Sequence, residues 1–171
     1  MDFTRLICDR ESIRSYDPTR PLEKAVLERI LDAGRVAPSA ANRQPWRFLL
    51  VSSREVLAQI RKSYLKPWFQ DAPHVLVVTG RTGEAWSRQD GWNSIETDLT
   101  IAMDHMILAA ENEGVGTCWI ANFDPTILRA ALSLSSEERL YAITPLGYPR
   151  PGFAKKGQKQ RKPLSEIVKY L

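Results

Sequence analysis

The chain has 171 residues, which suits a single domain with room for a real core. Apolar residues make up 43% and charged ones 26%, which excludes a disordered chain. The net charge of +4 is unevenly spread, because Lys155, Lys156, Lys159, Arg161 and Lys162 crowd into one short stretch. A late basic run of this kind is a solvated tail or a polyanion contact. No RNA- or DNA-binding motif accompanies it, so a phosphate-bearing small ligand is favoured over nucleic acid. No apolar run reaches the roughly eighteen residues of a membrane span. Met1–Arg5 does not read as a signal peptide, since charge interrupts it. Cys8 and Cys118 are the only cysteines; that fits a reducing cytoplasm and excludes a disulfide scaffold. His74 and His105 stand apart from any cysteine pair, so no metal site is suggested.

Neither linker nor internal repeat interrupts the chain. Asp2 is placed to cap a short helix carrying Phe3, Leu6 and Ile7. Pro21 opens a clearer helix, with Leu22, Val26, Leu27, Ile30 and Leu31 on one face and Gly34 near its end. Trp46–Val51 reads as a strand, and so does His74–Thr79. The unbroken run Val75-Leu76-Val77-Val78 predicts burial on both faces. Residues 81–94 are irregular and hold Trp86 and Trp92, a loop with something to cover. A long helix is expected over Ser94–Glu113, with Leu99, Met103, Met106, Ile107 and Ala110 inward and Gly114 as its stop. Thr117–Asn122 reads as a strand, Asp124-Pro125 as a helix start, and Leu140–Thr144 as the last core strand. Residues 149–171 form a Pro- and Gly-marked arm, extended over 149–163. This alternation predicts layered helix–sheet packing.

Three segments carry chemistry. In Arg10-Glu11-Ser12-Ile13-Arg14, two guanidinium groups flank a hydroxyl at alternate positions. If extended, this is a compact anion clamp, because the planar guanidinium donates two parallel hydrogen bonds; the alternative is a surface loop whose arginines pair with acids. Lys159 and Arg161 repeat the spacing near the other end. The run Ala37-Pro38-Ser39-Ala40-Ala41-Asn42-Arg43-Gln44-Pro45-Trp46 joins a helix to a strand. Its small residues allow close approach to a flat ligand, and its amides serve heteroatoms on that ligand's rim. Gly114-Val115-Gly116 lacks the full dinucleotide fingerprint and no helix follows it. Cys118 is disfavoured as a nucleophile, because an apolar strand raises a thiol's pKa. His105 reads as a helix-surface or core-edge residue, and Met103 and Met106 as core. No acid, base or nucleophile constellation proposes itself, so no catalytic side chain is assigned, and any chemistry falls to a cofactor.

The order R-x-S-x-R, PSAxNxQPW and K-x-RKPL resembles the FMN-dependent nitroreductase family, from Arg10 to Leu164. The resemblance implies an α+β fold, a three-layer α/β/α sandwich with a mixed, mainly antiparallel central sheet and an extended C-terminal arm. It implies that both chain ends bind the FMN phosphate, through Arg10, Ser12, Arg14, Lys159 and Arg161. It places Pro38, Ser39, Ala40, Asn42 and Gln44 at the ring edge, and the backbone of Cys118, Trp119 and Ile120 beside the ring. In the small nitroreductases glycines follow that strand; here Ala121 and Asn122 replace them. The resemblance further implies a homodimer with two FMN at the interface and NADH or NADPH as electron donor. Hydride would pass through flavin N5, in ping-pong fashion, to a flat acceptor such as a nitroaromatic or quinone. Reductive dehalogenation, flavin breakdown and non-enzymatic FMN binding remain as alternatives. The Trp86–Trp92 loop is expected to cover the pocket, with packing in a dimer interface as the other reading.

Overall fold

The strand His74–Arg81 (β2) is the centre of the fold, buried along its length up to Arg81. It pairs antiparallel with Trp46–Val51 (β1) on one side and Glu138–Leu146 (β3) on the other, giving the order β1-β2-β3. A β-bulge at Val78/Thr79 shifts the β2–β3 register. The computed structural model describes residues 2–157 and 159–171; Met1 falls outside them.

Alternation along β2 sets the layers. Leu76 and Val78 face a cluster with Lys24–Arg35 (α2) and Ile95–Asn112 (α5). Val75 and Val77 face a second cluster. It contains Leu57 and Ile60 of Arg54–Ile60 (α3), Phe69 of Pro67–Gln70 (α4) and Leu128 of Pro125–Ala131 (α6). Helices therefore cover both faces, and the continuous apolar run in β2 follows from that. Gly34 of α2 lies close enough to α5 that an added Cβ would stand 2.7 Å from Met106 Cγ and Sδ. Arg29 of α2 pairs in bidentate fashion with Glu113 just past α5, at 2.9 and 2.7 Å.

The N-terminal helix Phe3–Asp9 (α1) is capped as expected, with the Asp2 carboxylate accepting from Arg5 N. Asp124 caps α6 through Thr126 N and Ile127 N. Helix α2 starts at Lys24 rather than at Pro21, with Glu23 in the capping position. Helices α3, α4 and Leu164–Ile167 (α7) have no counterpart in the sequence reading; with 7, 4 and 4 residues, they show too few turns for a period.

The strand expected at Thr117–Asn122 forms only isolated bridges: Gly116 with Gly147, Thr117 with Ser12 and Ile120 with Ile143. The two antiparallel bridges share one register, which sets Cys118 opposite Pro145. Ile120 and Ile143 exchange both backbone bonds, at 2.9 and 3.0 Å, and Gly116 N reaches Gly147 O at 2.8 Å. Between them Pro145 has no N–H to offer, and Cys118 N donates to the Thr144 hydroxyl instead, at 3.1 Å. One proline thus divides this edge segment. On its outer side Ser12 runs parallel to Thr117, and Ile13 N donates to Thr117 O at 2.7 Å, which makes the sheet mixed.

Candidate functional site

The parallel pairing at Thr117 holds residues 10–14 extended, the condition for an anion clamp. The C-terminal arm folds back onto them. Lys159 Nζ donates to Ile7 O at 2.7 Å, and Lys155 Nζ donates to Asp9 O at 3.1 Å and pairs with the Glu111 carboxylate. Arg10, Ser12, Arg14, Lys156, Lys159 and Arg161 consequently line one cleft of about 800 Å³. Neighbouring cavities continue it toward Cys8 on one side and toward Asp104, Ile107, Thr117 and Trp119 on the other. Partial burial lowers the Lys159 pKa, and Arg10 and Arg161 beside it push the same way. Arg14 is also 5.9 Å from the Trp68 ring, which fixes its stem.

The segment Pro38–Gln44 is strained. Ala41, Asn42 and Gln44 have φ of 49°, 54° and 51°, the left-handed region where residues other than glycine are uncommon. Local bonds hold it: Gln44 N donates to Ser39 Oγ at 2.9 Å, and the Gln44 amide to Asn42 O and Oδ1 at 3.2 Å. One bond ties it to the core, from Ala40 N to Asp98 Oδ1 at 2.9 Å. Asp98 is 1% exposed, and its other oxygen accepts from Ser94 Oγ at 2.7 Å. Strain of this kind clusters at ligand sites. The loop lines none of the clefts that Arg10 lines.

The three residues of the edge segment part company. Trp119 is half-buried, edge-on to Tyr141 at 5.9 Å, and lines the clamp's inner cavity. Cys118 and Ile120 point to the opposite face, into the cluster with α3 and α6. Burial pushes the Cys118 thiol pKa up, against the lowering influence of Arg14 and Ser12. The Trp86–Trp92 loop closes on itself: Ser94 N donates to Trp86 O, Arg88 N to Trp92 O, and the two rings meet edge-on at 6.2 Å. Trp92 stays 45% exposed, with Arg88 above it at 5.4 Å.

Comparison with known proteins shows the family and the fold. A family profile described as the Nitroreductase family matches residues 7–68 and 58–148, most of the chain. The chain belongs to the nitroreductase family. A nitroreductase family protein of known structure from Clostridium difficile is 34% identical, with a TM-score of 0.90, covering 99% of this chain and 98% of its own. An FMN-dependent nitroreductase from the same species is 25% identical, with a TM-score of 0.80 and 96% of each chain covered. An iodotyrosine deiodinase from Thermotoga neapolitana is 27% identical over 82% of this chain and 84% of its own. This nitroreductase relative is therefore an enzyme, an oxidoreductase of a flavin-dependent family, with the three-layer fold expected from its sequence.

Among the residues expected from sequence, the fold unites Arg10, Ser12, Arg14, Lys159 and Arg161, and adds Trp119. Pro38, Ser39, Ala40, Asn42 and Gln44 stand elsewhere on the same chain. Sequence reasoning assigned no role to Glu11, Asp104 and Glu111, which stand in or beside the cleft, or to Asp98, which anchors the 38–44 loop. Asp98 had a readable signal, a carboxylate four residues after a serine at a helix start. No cluster of metal-ligating side chains occurs among the described residues, and none of their helices is long and apolar enough to cross a membrane.

Proposed function

We propose that this nitroreductase-family enzyme binds FMN with its phosphate in the Arg10–Arg161 cleft and passes reducing equivalents from NADH or NADPH to a flat acceptor, a nitroaromatic or quinone, in the cytoplasm. The observation that carries the reading is the convergence of five cations and the Ser12 hydroxyl from both chain ends on one cleft. That donor set fits a phosphate dianion: guanidinium forks for two oxygens, an ammonium and a hydroxyl for the remainder. When bound, FMN supplies the hydride relay that no side chain here can perform. Arg10, Arg14, Lys159 and Arg161 hold the phosphate, Trp119 borders the flavin from the inner cavity, and the Ala40–Gln44 loop presents its amides to a ring edge.

The working unit in this reading is a homodimer. Asp98 anchors the loop, and Asp104 and Ile107 floor the clamp. Those points lie about 9–14 Å apart along α5, at 1.5 Å per residue. A second copy brings its own loop to the clamp, so that each flavin is touched by both chains. Leu164 and Ile167, 70% and 63% exposed, give the arm an apolar face with nothing to cover it in one chain. A second reading, reductive dehalogenation at the same flavin, draws on the deiodinase relative.

Titration of apo-protein with FMN tests the site. Arg14→Ala should lose about 1.5–3 kcal/mol of affinity, the value of a hydrogen bond to a charged group. Unchanged affinity removes Arg14 from the phosphate site. NADH and NADPH oxidation with a nitroaromatic or quinone, against iodide release from a halotyrosine, separates the two reactions. Light scattering that finds a monomer with FMN fully bound refutes the shared site.

A further inference from the structure

Glu11 is the anomaly of the clamp. It places a carboxylate between Arg10 and Ser12, inside the cleft that gathers cations. A negative charge there opposes an incoming phosphate. Its geometry explains its presence. Glu11 Oε2 accepts from Lys156 N at 3.0 Å, and Oε1 accepts from Gly157 N at 2.7 Å. Two consecutive backbone N–H groups of the arm thus end on one carboxylate, the strong charge-assisted kind of bond. Gly157 has φ of 75°, a turn that glycine makes without steric cost. On either side of this grip Lys155 reaches Asp9 O and Glu111, and Lys159 reaches Ile7 O. The arm is fastened at three points over five residues, all to residues 7–11 and the end of α5.

We propose that Glu11 is a positioning residue for the phosphate cleft: it docks the C-terminal arm so that Lys159 and Arg161 face Arg10 and Arg14. This rests on the flavin reading above. The backbone N–H groups of Gly157 and then Lys156 hold the carboxyl below its usual range, with Lys155 and Lys159 adding to the effect, so it stays ionised to keep its grip. Unfastened, the arm would leave half of the clamp without its cations.

Charge and position predict opposite signs, which makes the test sharp. Glu11→Gln removes a negative charge beside the phosphate, and that alone tightens FMN binding. It also leaves one of the two N–H groups facing an amide donor, and a loosened arm weakens FMN binding. FMN and riboflavin, which lacks the phosphate, are titrated into apo wild type, Glu11→Gln and Glu11→Ala, and trypsin cleavage at Lys155, Lys156 and Lys159 is timed without flavin. The expected result is a loss of FMN affinity of about tenfold or more, riboflavin affinity within about twofold of wild type, and faster cleavage of the arm. Equal or tighter FMN binding by Glu11→Gln overturns the inference, as does unchanged cleavage. Parallel loss of riboflavin affinity overturns it too, since that marks general loosening. A wild type that prefers neither flavin refutes the phosphate reading itself, and the inference falls with it.

Discussion

Asp98→Ala should be the most informative single change outside the cleft. The carboxylate is fully enclosed and holds two donors, Ala40 N and Ser94 Oγ. Ala40 opens a loop with three residues in the left-handed region, each costing about 1–2 kcal/mol. The loop keeps that shape because its anchors outweigh the strain. Alanine leaves the buried Ser94 hydroxyl and the partly buried Ala40 N without an acceptor, at about 1–3 kcal/mol each, partly offset because a charge is no longer buried. The net loss should be about 2–4 kcal/mol. At roughly 2–4 °C per kcal/mol for a domain of this size, melting falls by about 4–16 °C. Asp98→Asn separates the anchor from mere bulk. Its carbonyl still accepts from Ala40 N and its amide donates to Ser94 Oγ, so it should lose only about 1 kcal/mol. Urea unfolding of both variants gives the free energies. If alanine lies within about 0.5 kcal/mol of wild type, or if the two variants match, Asp98 is not what holds the loop.

Three further outcomes follow from features described above. Gly34→Ala should lose about 1 kcal/mol net, since overpacking against the buried Met106 costs about 1–3 kcal/mol and helix propensity returns about 1; urea unfolding that shows a gain means Met106 yields freely. His74 has Nδ1 at 2.7 Å from Ser52 Oγ and a buried Nε2 without a partner among the described residues, and burial lowers its pKa. The folded chain then takes up this proton less readily than the unfolded one, so stability is full above the unfolded pKa near ~6.5 and drains away as pH falls below it. His74→Gln should shrink the drop in melting temperature between pH 7 and 5, and an unaltered drop clears His74. Trp92→Ala should change acceptor KM while gel filtration shows the oligomer intact; wild-type kinetics with a small and a large acceptor, or dissociation, rules out a covering role.

The sequence was most readable where one element makes its own case. Helix α5 needed only its apolar period and Gly114, and the interior strand β2 only its continuous valines and leucine. It was least readable where a partner decides. Thr117–Ile120 has a strand's composition, but Pro145, some twenty-five residues away, removes the bond that would complete the ladder. The clamp was legible as two matched basic spacings; their meeting depends on Glu11, Lys155 and Lys159 finding backbone partners, which no spacing reveals. The serine four residues before Asp98 marks its bond to Ser94, but its second bond, from Ala40 N, joins residues 58 apart and leaves no local trace.

Helix α5 has a consequence for how this protein can change in length. Asp98 holds the loop near its start, Asp104 and Ile107 floor the cleft at its middle, and Glu111 receives Lys155 at its end. These stations are set by a rigid rod, so they form a ruler of about 20 Å from first to last. One residue inserted after Asp98 would turn every later station by about 100°. Glu111 would swing away from the arm, and Ile107 would swing out of the core. The turn at Ser133–Glu137 carries no station and can accept extra residues at the modest cost of a longer loop. Diversification by insertion is therefore steered toward the surface turns, while α5 is held to its count.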